Sequence, residues 1–583
     1  MAAFRLDLIG RYLRPHRRAV LGGAVALVMV NILSVVIPLE VRRVINDLET
    51  GFALDDVLRQ AGWIVILASG MAIVRLISRQ VVFGVGRQVE VELRQRLFDH
   101  MLTQEPGWVQ SIGSGEVISR ATSDVENIRR LLGFAVLSLT NTVLAYAFTL
   151  PAMLAIDPML TVAAIALYPV MLATVRLFGG RMMRQQQNQQ EALSSLSELI
   201  QEDLSGVGAI KIYGQERAEQ SAFQQRNQLY RDCAIHLART RSTLFPLLEG
   251  ISAFSLLILL AIGTHQLEQG ALSIGGLVAM ILFVERLVFP TALLGFTLNT
   301  FQTGQVSLER VEALLQRKPQ IRDPKQPLTR SSAEPGRLEA RQLRVRYDKS
   351  DRDTLNGLDF VIEPGELVAV VGPVGCGKTT LARALGRMVE VPKGQLFLDN
   401  LDVNELSLND LRHQIALVPQ EGYLFTSSLA DNLRYGDPKA SMERVTKAAT
   451  QARLIEDVKG FPDGFETLVG ERGITLSGGQ RQRTALGRAL LVSSSVLVLD
   501  DALASVDNNT AAAILASIRS QRDRTILLIS HQLSAAAACD RILVMEEGRL
   551  VQQGHHDELI RANGTYRRLW EREQAVENLE AAA

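Results

Sequence analysis

The sequence predicts a multidomain chain: an all-α membrane domain of six spanning helices, followed by an α/β domain with a parallel sheet. Two observations predict it. Long uncharged apolar stretches occur only before residue 310, and after that point short apolar runs alternate with helix-like segments in the manner of a parallel sheet. Between the two regimes lies RKPQIRDPKQPLTRSSAEPG, with four prolines and no apolar run, which reads as an extended linker. The domains are accordingly expected at 1–316 and 337–583, with the linker at 317–336.

The membrane half comes first. A bilayer crossing takes about 20 mostly apolar helical residues. Ala19 to Leu39 carries no charge over 21 residues, Leu131 to Ile156 none over 26, and Pro158 to Val175 and Gly250 to Leu267 none over 18 each. Ala61 to Val74 is shorter and continues through Arg75 and Arg79. Gly270 to Val284 is interrupted by Glu285 and Arg286 and resumes at Leu287. Six spans follow, near 19–43, 57–86, 131–156, 158–178, 246–267 and 272–308. Buried helices of a large soluble protein would not give six such stretches in so short a chain.

Loop charge sets the orientation. Arg5, Arg11, Arg14, Arg17 and Arg18 precede the first span, and the connection Gly179 to Glu249 carries Lys211 and seven arginines. The connections around Asp157 and Glu268 carry no lysine or arginine. The positive-inside rule places both termini in the cytosol. MAAFRLDLIGRYLRPHRR has no cleavable apolar core, so it reads as a short interfacial helix rather than a signal peptide. The long inner connections are rich in helix formers, which predicts that the spans continue into the cytosol as helical arms.

Charges at the depth of Glu285 and Arg286 are costly and face a cavity or a partner. A substrate contact and a pairing with Arg75 or another helix are both open. Pro290 is expected to kink the span. Asn31, Asn141 and Asn299 are the other polar residues that stand out.

Composition adds limits. The chain has 583 residues with 62 basic and 62 acidic side chains, a balance that gives no reason for a nucleic-acid partner. Cys233, Cys376 and Cys539 fit no zinc spacing and are expected to be free thiols.

In the second half, LVAVV at Leu367 to Val371 reads as a buried strand and feeds directly into Gly372-Pro373-Val374-Gly375-Cys376-Gly377-Lys378-Thr379-Thr380. This is the G-x-x-x-x-G-K-[ST] phosphate loop between a strand and a helix, and it marks an α/β P-loop ATPase domain binding ATP and Mg²⁺. The glycines let backbone N–H groups close around phosphates, Lys378 reaches the β- and γ-phosphates, and the Thr379 hydroxyl faces the metal. A second apolar strand, Val496 to Leu499, ends in Asp500, placed to hold Mg²⁺, and Asp501. A third, Thr525 to Ile529, ends in Ser530 and His531, whose imidazole is placed to sense the γ-phosphate.

Leu476-Ser477-Gly478-Gly479-Gln480, followed by RQRTALGRAL, resembles the signature of ATP-binding cassette (ABC) transporters. The resemblance covers essentially the whole chain and is of the exporter type, similar to bacterial multidrug and lipid exporters. It implies that Tyr347 stacks on adenine and that Gln420 touches Mg²⁺ and senses the membrane domain. It implies that Glu471-Arg472-Gly473 is a cross-talk segment and Ala504-Ser505-Val506-Asp507 a D-loop. Gly115 to Asp124 and Gly208 to Glu216 match the two cytosolic coupling regions. Ser477, Gly478 and Gly479 open a helix whose N–H groups form a second anion site. By the resemblance that site serves ATP on a second chain, so the protein is expected to work as one half of a dimer, moving a hydrophobic or amphipathic substrate across the membrane by alternating access.

One residue departs from the family pattern. The position after the Mg²⁺ aspartate is usually Glu, the general base; here it is Asp501, shorter by roughly 1.5 Å of reach. Slow hydrolysis is expected at that site. A heterodimer with a Glu-bearing second half-transporter is favoured, with a slow homodimer as the alternative. A half-transporter that binds ATP for regulation and hydrolyses little is a second reading. The six spans argue against a soluble cassette ATPase, the fusion order against an importer, and the short segment before the first span against an added protease domain. The cargo is open among lipids, drugs and peptides, and a bacterial inner membrane is the expected location.

Overall fold

A computed structural model describes residues 6–51, 54–328, 336–347, 352–470, 473–519 and 524–582. It divides into two compact units, Met1–Leu102 with Gly113–Arg317, and Thr103–Ile112 with Lys318–Ala583.

The first unit is all helical. Among the described residues six helices are long and apolar enough to cross a membrane: Asp7–Glu49, Leu54–Leu102, Ser114–Ile156, Pro158–Ser205, Glu216–Glu268 and Ile274–Leu315. Each runs to between 42 and 53 residues, about twice what a bilayer requires. Hydropathy locates the crossings but not the helix ends, because helix formers continue where apolarity stops. The third and fourth spans are separated only by Asp157. Its extended backbone ends one helix, and its Oδ1 accepts the Leu160 N–H at 2.7 Å while Pro158 opens the next. Pro38, Pro151, Pro246 and Pro290 all lie inside helices. Two π-helical turns, Arg120–Asp124 and Leu131–Ala135, interrupt the third span.

Polar contacts tie the spans together. Glu90 on the second span is buried and lies 2.8 Å from Arg94 and 3.4 Å from Arg129 on the third. Ser307 on the sixth donates to Asp124 Oδ1 at 2.7 Å. The first span opens with a short helical segment, Leu6–Leu13, joined by the turn Arg14–His16 to the long helix Arg17–Thr50, and Tyr12 donates to the buried Glu312 at 2.5 Å. Arg286 does not pair with Arg75 or Glu285; its Nη2 donates to Asn31 Oδ1 at 2.8 Å. A charge at such depth costs about 2.5–3.5 kcal/mol on insertion scales, so a partner on another span is the physical expectation.

The two segments that resemble coupling regions differ in form. Gly208 to Glu216 falls on a separate short helix, Val207–Tyr213, closed by Gly214. Gly115 to Asp124 is instead the start of the third span. The separate helix between spans two and three is Pro106–Ile112, in a stretch that the hydropathy reading leaves in the membrane half. It belongs to the second unit, where Glu105 Oε1 accepts the Ile321 N–H at 2.9 Å.

Among its described residues the second unit has ten strands: β1 Leu338–Val345, β2 Leu355–Ile362, β3 Leu367–Val371, β4 Leu396–Leu398, β5 Leu401–Asp402, β6 Ile415–Val418, β7 Val496–Asp500, β8 Thr525–Ile529, β9 Arg541–Glu546 and β10 Arg549–Gly554. One sheet has the order β2-β1-β4-β5 and is antiparallel. The other has the order β10-β9-β3-β8-β7-β6, parallel from β9 to β6. Every residue of β3, β7 and β8 is buried, which is why their sequences are unbroken apolar runs rather than alternating ones.

Candidate nucleotide site

Parallel strands put their loops at one edge, and ligands of open α/β sheets bind outside the carboxyl ends. Four neighbouring strands here end in the predicted residues: the phosphate loop after β3, His531 after β8, Asp500 and Asp501 at β7, and Gln420 after β6. Register holds the edge level, with Val370 beside Ile529 and Ile529 beside Asp500.

The phosphate loop leads into the helix Lys378–Leu385, with Gly377 as its N-cap at φ 106°, a conformation that penalises any side chain. Lys378 is buried, and its Nζ donates to the carbonyls of Gly372 at 2.7 Å and Pro373 at 3.0 Å. Cys376 Sγ lies 3.7 Å from the same nitrogen. Val374 stands exposed at the loop. Thr379 Oγ1 lies 3.3 Å from Asp500 Oδ1, and Tyr347 Oη lies 3.3 Å from Thr380 Oγ1 on the same helix. The tyrosine is thus placed beside the phosphate-loop helix.

Asp500 and Asp501 are buried, whereas Gln420 and His531 are exposed. Burial pushes the Asp500 carboxyl above the usual range; the Thr379 hydroxyl opposes the rise and the Asp501 charge adds to it. The donors at this edge are a hydroxyl, a carboxylate and an amide, the hard-oxygen set that suits Mg²⁺. Asp501 adopts φ 52°, and its Oδ1 is buried without a hydrogen-bond partner among the described residues. An orphaned buried carboxylate oxygen needs an explanation, and a catalytic role is one.

The Leu476–Gln480 segment forms a helix start. Ser477 caps the helix Gly478–Leu491, its Oγ accepting the Gln480 N–H at 3.3 Å while Gln480 Oε1 accepts the Ser477 N–H at 2.9 Å. Gln480 also donates to Asp457 at 2.9 Å, and Asp457 pairs with Arg483 at 2.8 Å. Among the described residues no hydrogen bond joins Ser477–Gln480 to Gly372–Thr380. Glu471 and Arg472, of the cross-talk segment, lie outside the described residues.

One residue escapes motif reading. Gln482 is buried, donates to the Asp501 carbonyl at 3.5 Å, and accepts the Ser505 N–H at 2.9 Å. It links the signature helix, the β7 end and the Ala504–Asp507 turn. Only its place one turn into that helix hints at the role.

A phosphate loop on β3, with carboxylates at the end of β7, defines a P-loop nucleotide-binding domain, here in one chain with six helices fit to cross a membrane. Residues 20–291 match the family model for the ABC transporter transmembrane region, and residues 355–504 match the model for the ABC transporter. The chain belongs to the ABC transporter family, as a multi-pass membrane half-transporter of the exporter type with a fused ATPase domain.

The probable multidrug resistance ABC transporter ATP-binding/permease protein YheI of Bacillus subtilis (strain 168) is 31% identical over 553 residues, 94% of each chain. The ATP-dependent lipid A-core flippase of Aromatoleum aromaticum is 33% identical over 483 residues, 82% of this chain and 79% of the flippase. The solved structure of a bacterial Atm1-family ABC exporter with ATP bound matches with a TM-score of 0.78 at 25% identity, covering 96% of this chain and 98% of that one.

Proposed function

We propose that the chain uses ATP to export or flip a hydrophobic or amphipathic substrate across a bacterial inner membrane by alternating access, as one half of a dimer with both termini in the cytosol. The observation that carries this is the closeness of Thr379 and Asp500, at 3.3 Å, on a chain that also holds six membrane-fit helices. The multidrug and lipid A-core names of the relatives support the substrate class.

The roles divide as follows. Lys378 meets the terminal phosphates once it turns from the loop carbonyls, and the loop N–H groups from Gly372 to Thr380 cradle them. Tyr347 stacks on the base. Thr379, Asp500 and Gln420 would hold Mg²⁺, which when bound neutralises developing phosphate charge. Asp501 orients the attacking water, and His531 contacts the γ-phosphate. Ser477, Gly478, Gly479 and Gln480 offer the helix N-terminus to the nucleotide of the partner chain, whose phosphates suit that dipole. Asp501 has less reach than Glu, so turnover at its site is slow and a Glu-bearing partner chain completes the active dimer. A half-transporter that hydrolyses little on its own is the second reading, favoured by the burial of Asp501 (8% exposed).

The test is ATP hydrolysis and ATP-dependent uptake of a fluorescent amphiphile into inverted proteoliposomes. Wild type should take up dye with ATP, alone or with its partner, and Lys378→Ala should not. Uptake that persists in Lys378→Ala sinks the reading. Rapid hydrolysis by this chain alone removes the heterodimer.

A further inference from the structure

The membrane domain holds a polar cluster that the nucleotide machinery does not use. Arg286, on the sixth span, donates Nη2 to Asn31 Oδ1 at 2.8 Å and approaches the Asn31 carbonyl at 3.4 Å. Asn31, on the first span, is 1% exposed, and its Nδ2 donates to the Leu27 carbonyl at 2.9 Å and to Asn141 Oδ1, on the third span, at 3.2 Å. Arg75, on the second span, lies within electrostatic reach of Arg286, and its Nη2 approaches Met71 Sδ at 3.5 Å. Four spans therefore converge on two guanidinium groups.

Among the described residues the cluster holds positive charge and no compensating negative charge. Among the described residues no carboxylate stands within ion-pair distance of Arg75 or Arg286. Glu285 is the nearest acid in sequence, but one helical step turns it about 100° from Arg286, and it is exposed. Arg286 Nη1 is buried with no hydrogen-bond acceptor among the described residues. A donor left in that state at membrane depth loses its solvation and gains nothing in return.

The choice of partner matters. A carboxylate at position 31 would quench the arginine. An amide orients it and leaves its charge intact. The Asn141–Asn31–Arg286 relay fixes the guanidinium with one fork edge engaged and the other unmatched. A planar fork of that kind fits a phosphate or carboxylate through paired charge-assisted bonds. Apolar residues stand one turn away on the same spans, Leu27 before Asn31 and Met71 before Arg75, in keeping with an acyl chain attached to that anion.

Resting on the transport reading above, we propose that Arg286, held by Asn31 and reinforced by Arg75, binds the anionic headgroup (phosphate or carboxylate) of an amphipathic substrate.

The test is equilibrium binding of fluorescent lysophosphatidate to the full-length protein in phosphatidylcholine nanodiscs without nucleotide. Competitors are unlabelled lysophosphatidate, the uncharged monoacylglycerol with the same acyl chain, and inorganic phosphate. Lysophosphatidate should displace the probe, with monoacylglycerol and inorganic phosphate each at least tenfold weaker. Arg286→Gln should weaken binding about tenfold and Arg286→Lys by less. Arg75→Gln, at an exposed position, should cost several-fold and serves if Arg286→Gln does not fold. Equal binding of the charged and uncharged amphiphiles overturns the proposal, as does full affinity in folded Arg286→Gln, or in Arg75→Gln where that variant stands in. Inorganic phosphate as potent as lysophosphatidate overturns the amphiphile and leaves a site for free anions. Because no ATP is used, failure here leaves ATP-driven transport standing, and failure of the Lys378→Ala control leaves the binding result standing.

Discussion

The backbone N–H of Asp501 donates to the carbonyl of Ile529 at 2.8 Å. This bond continues the β7–β8 ladder one residue past the last paired position, Asp500 beside Ile529, and fixes Asp501 where the chain leaves the sheet. Asp501 does this at φ 52°, a left-handed conformation that Asp and Asn enter more readily than most residues.

Lengthening this side chain should therefore act on two properties at once. Asp501→Glu restores the missing methylene and should raise ATP turnover several-fold. Its strain at positive φ should lower thermal stability slightly. Asp501→Asn should nearly abolish turnover while leaving ATP binding within about threefold, since it removes the proposed base and keeps the shape. Steady-state hydrolysis, nucleotide binding and thermal melting of the same preparations check these outcomes. Unchanged turnover in both variants would show that another group activates the water.

The two signature glycines should respond unequally to a methyl group. A Cβ at Gly479 would sit 2.8 Å from the Ser505 carbonyl oxygen, a backbone atom that cannot easily retreat, whereas one at Gly478 meets Ser505 side-chain atoms at 3.7 Å, an ordinary contact. Gly479→Ala should cut hydrolysis at least tenfold and displace the Ala504–Asp507 turn. Gly478→Ala should leave the fold undisturbed, as judged by thermal midpoint. Binding of nucleotide to the phosphate loop should survive in both.

Asn432 is a structural pin for the loop that follows Gln420. It is 1% exposed. Its Oδ1 accepts the Phe425 N–H at 2.8 Å and Arg488 Nη2 at 3.2 Å, and its Nδ2 donates to the Phe425 carbonyl at 2.9 Å. Asn432→Ala strands several of these groups and should cost about 2–4 kcal/mol. A fall of about 5 °C or more in the midpoint for loss of ATP binding is the expected readout. A midpoint within a degree of wild type would contradict it.

The three thiols should differ in reactivity. Burial pushes the Cys539 thiol up to about 12, so at pH 8 about one part in ten thousand is thiolate. Cys233 is only half-buried, on the long fifth helix. Maleimide at pH 8, followed by mass spectrometry, should label Cys233 first and Cys539 last. Prompt labelling of Cys539 would mean that its helix opens readily.

What the sequence made legible was what is local in the chain. The phosphate loop, the carboxylates of β7 and the capping Ser477 each lie within a few residues of the strand or helix that positions them, so motif and structure coincide. Gln482 was not legible, because its partners Asp501 and Ser505 are 19 and 23 residues away and a glutamine inside a helix announces nothing. The Arg286–Asn31 bond joins residues 255 apart, and Arg75 was an equally good guess on charge-depth grounds alone. The segment Thr103–Ile112 was hidden for a third reason: it is neither apolar enough to be a span nor polar enough to read as a linker, and only its packing assigns it to the second unit.

The fifth helix, Glu216–Glu268, has a mechanical consequence. At 1.5 Å per residue its 53 residues make a rod about 80 Å long. A rod of that length tilting by about 5° sweeps its far end through about 7 Å, enough to open or close a passage for a small molecule. Pro246 sits inside it and is the weak point at which such a rod would flex rather than swing. Under alternating access, stiffness at that one residue would set the gain between an angular change at one end and the displacement at the other.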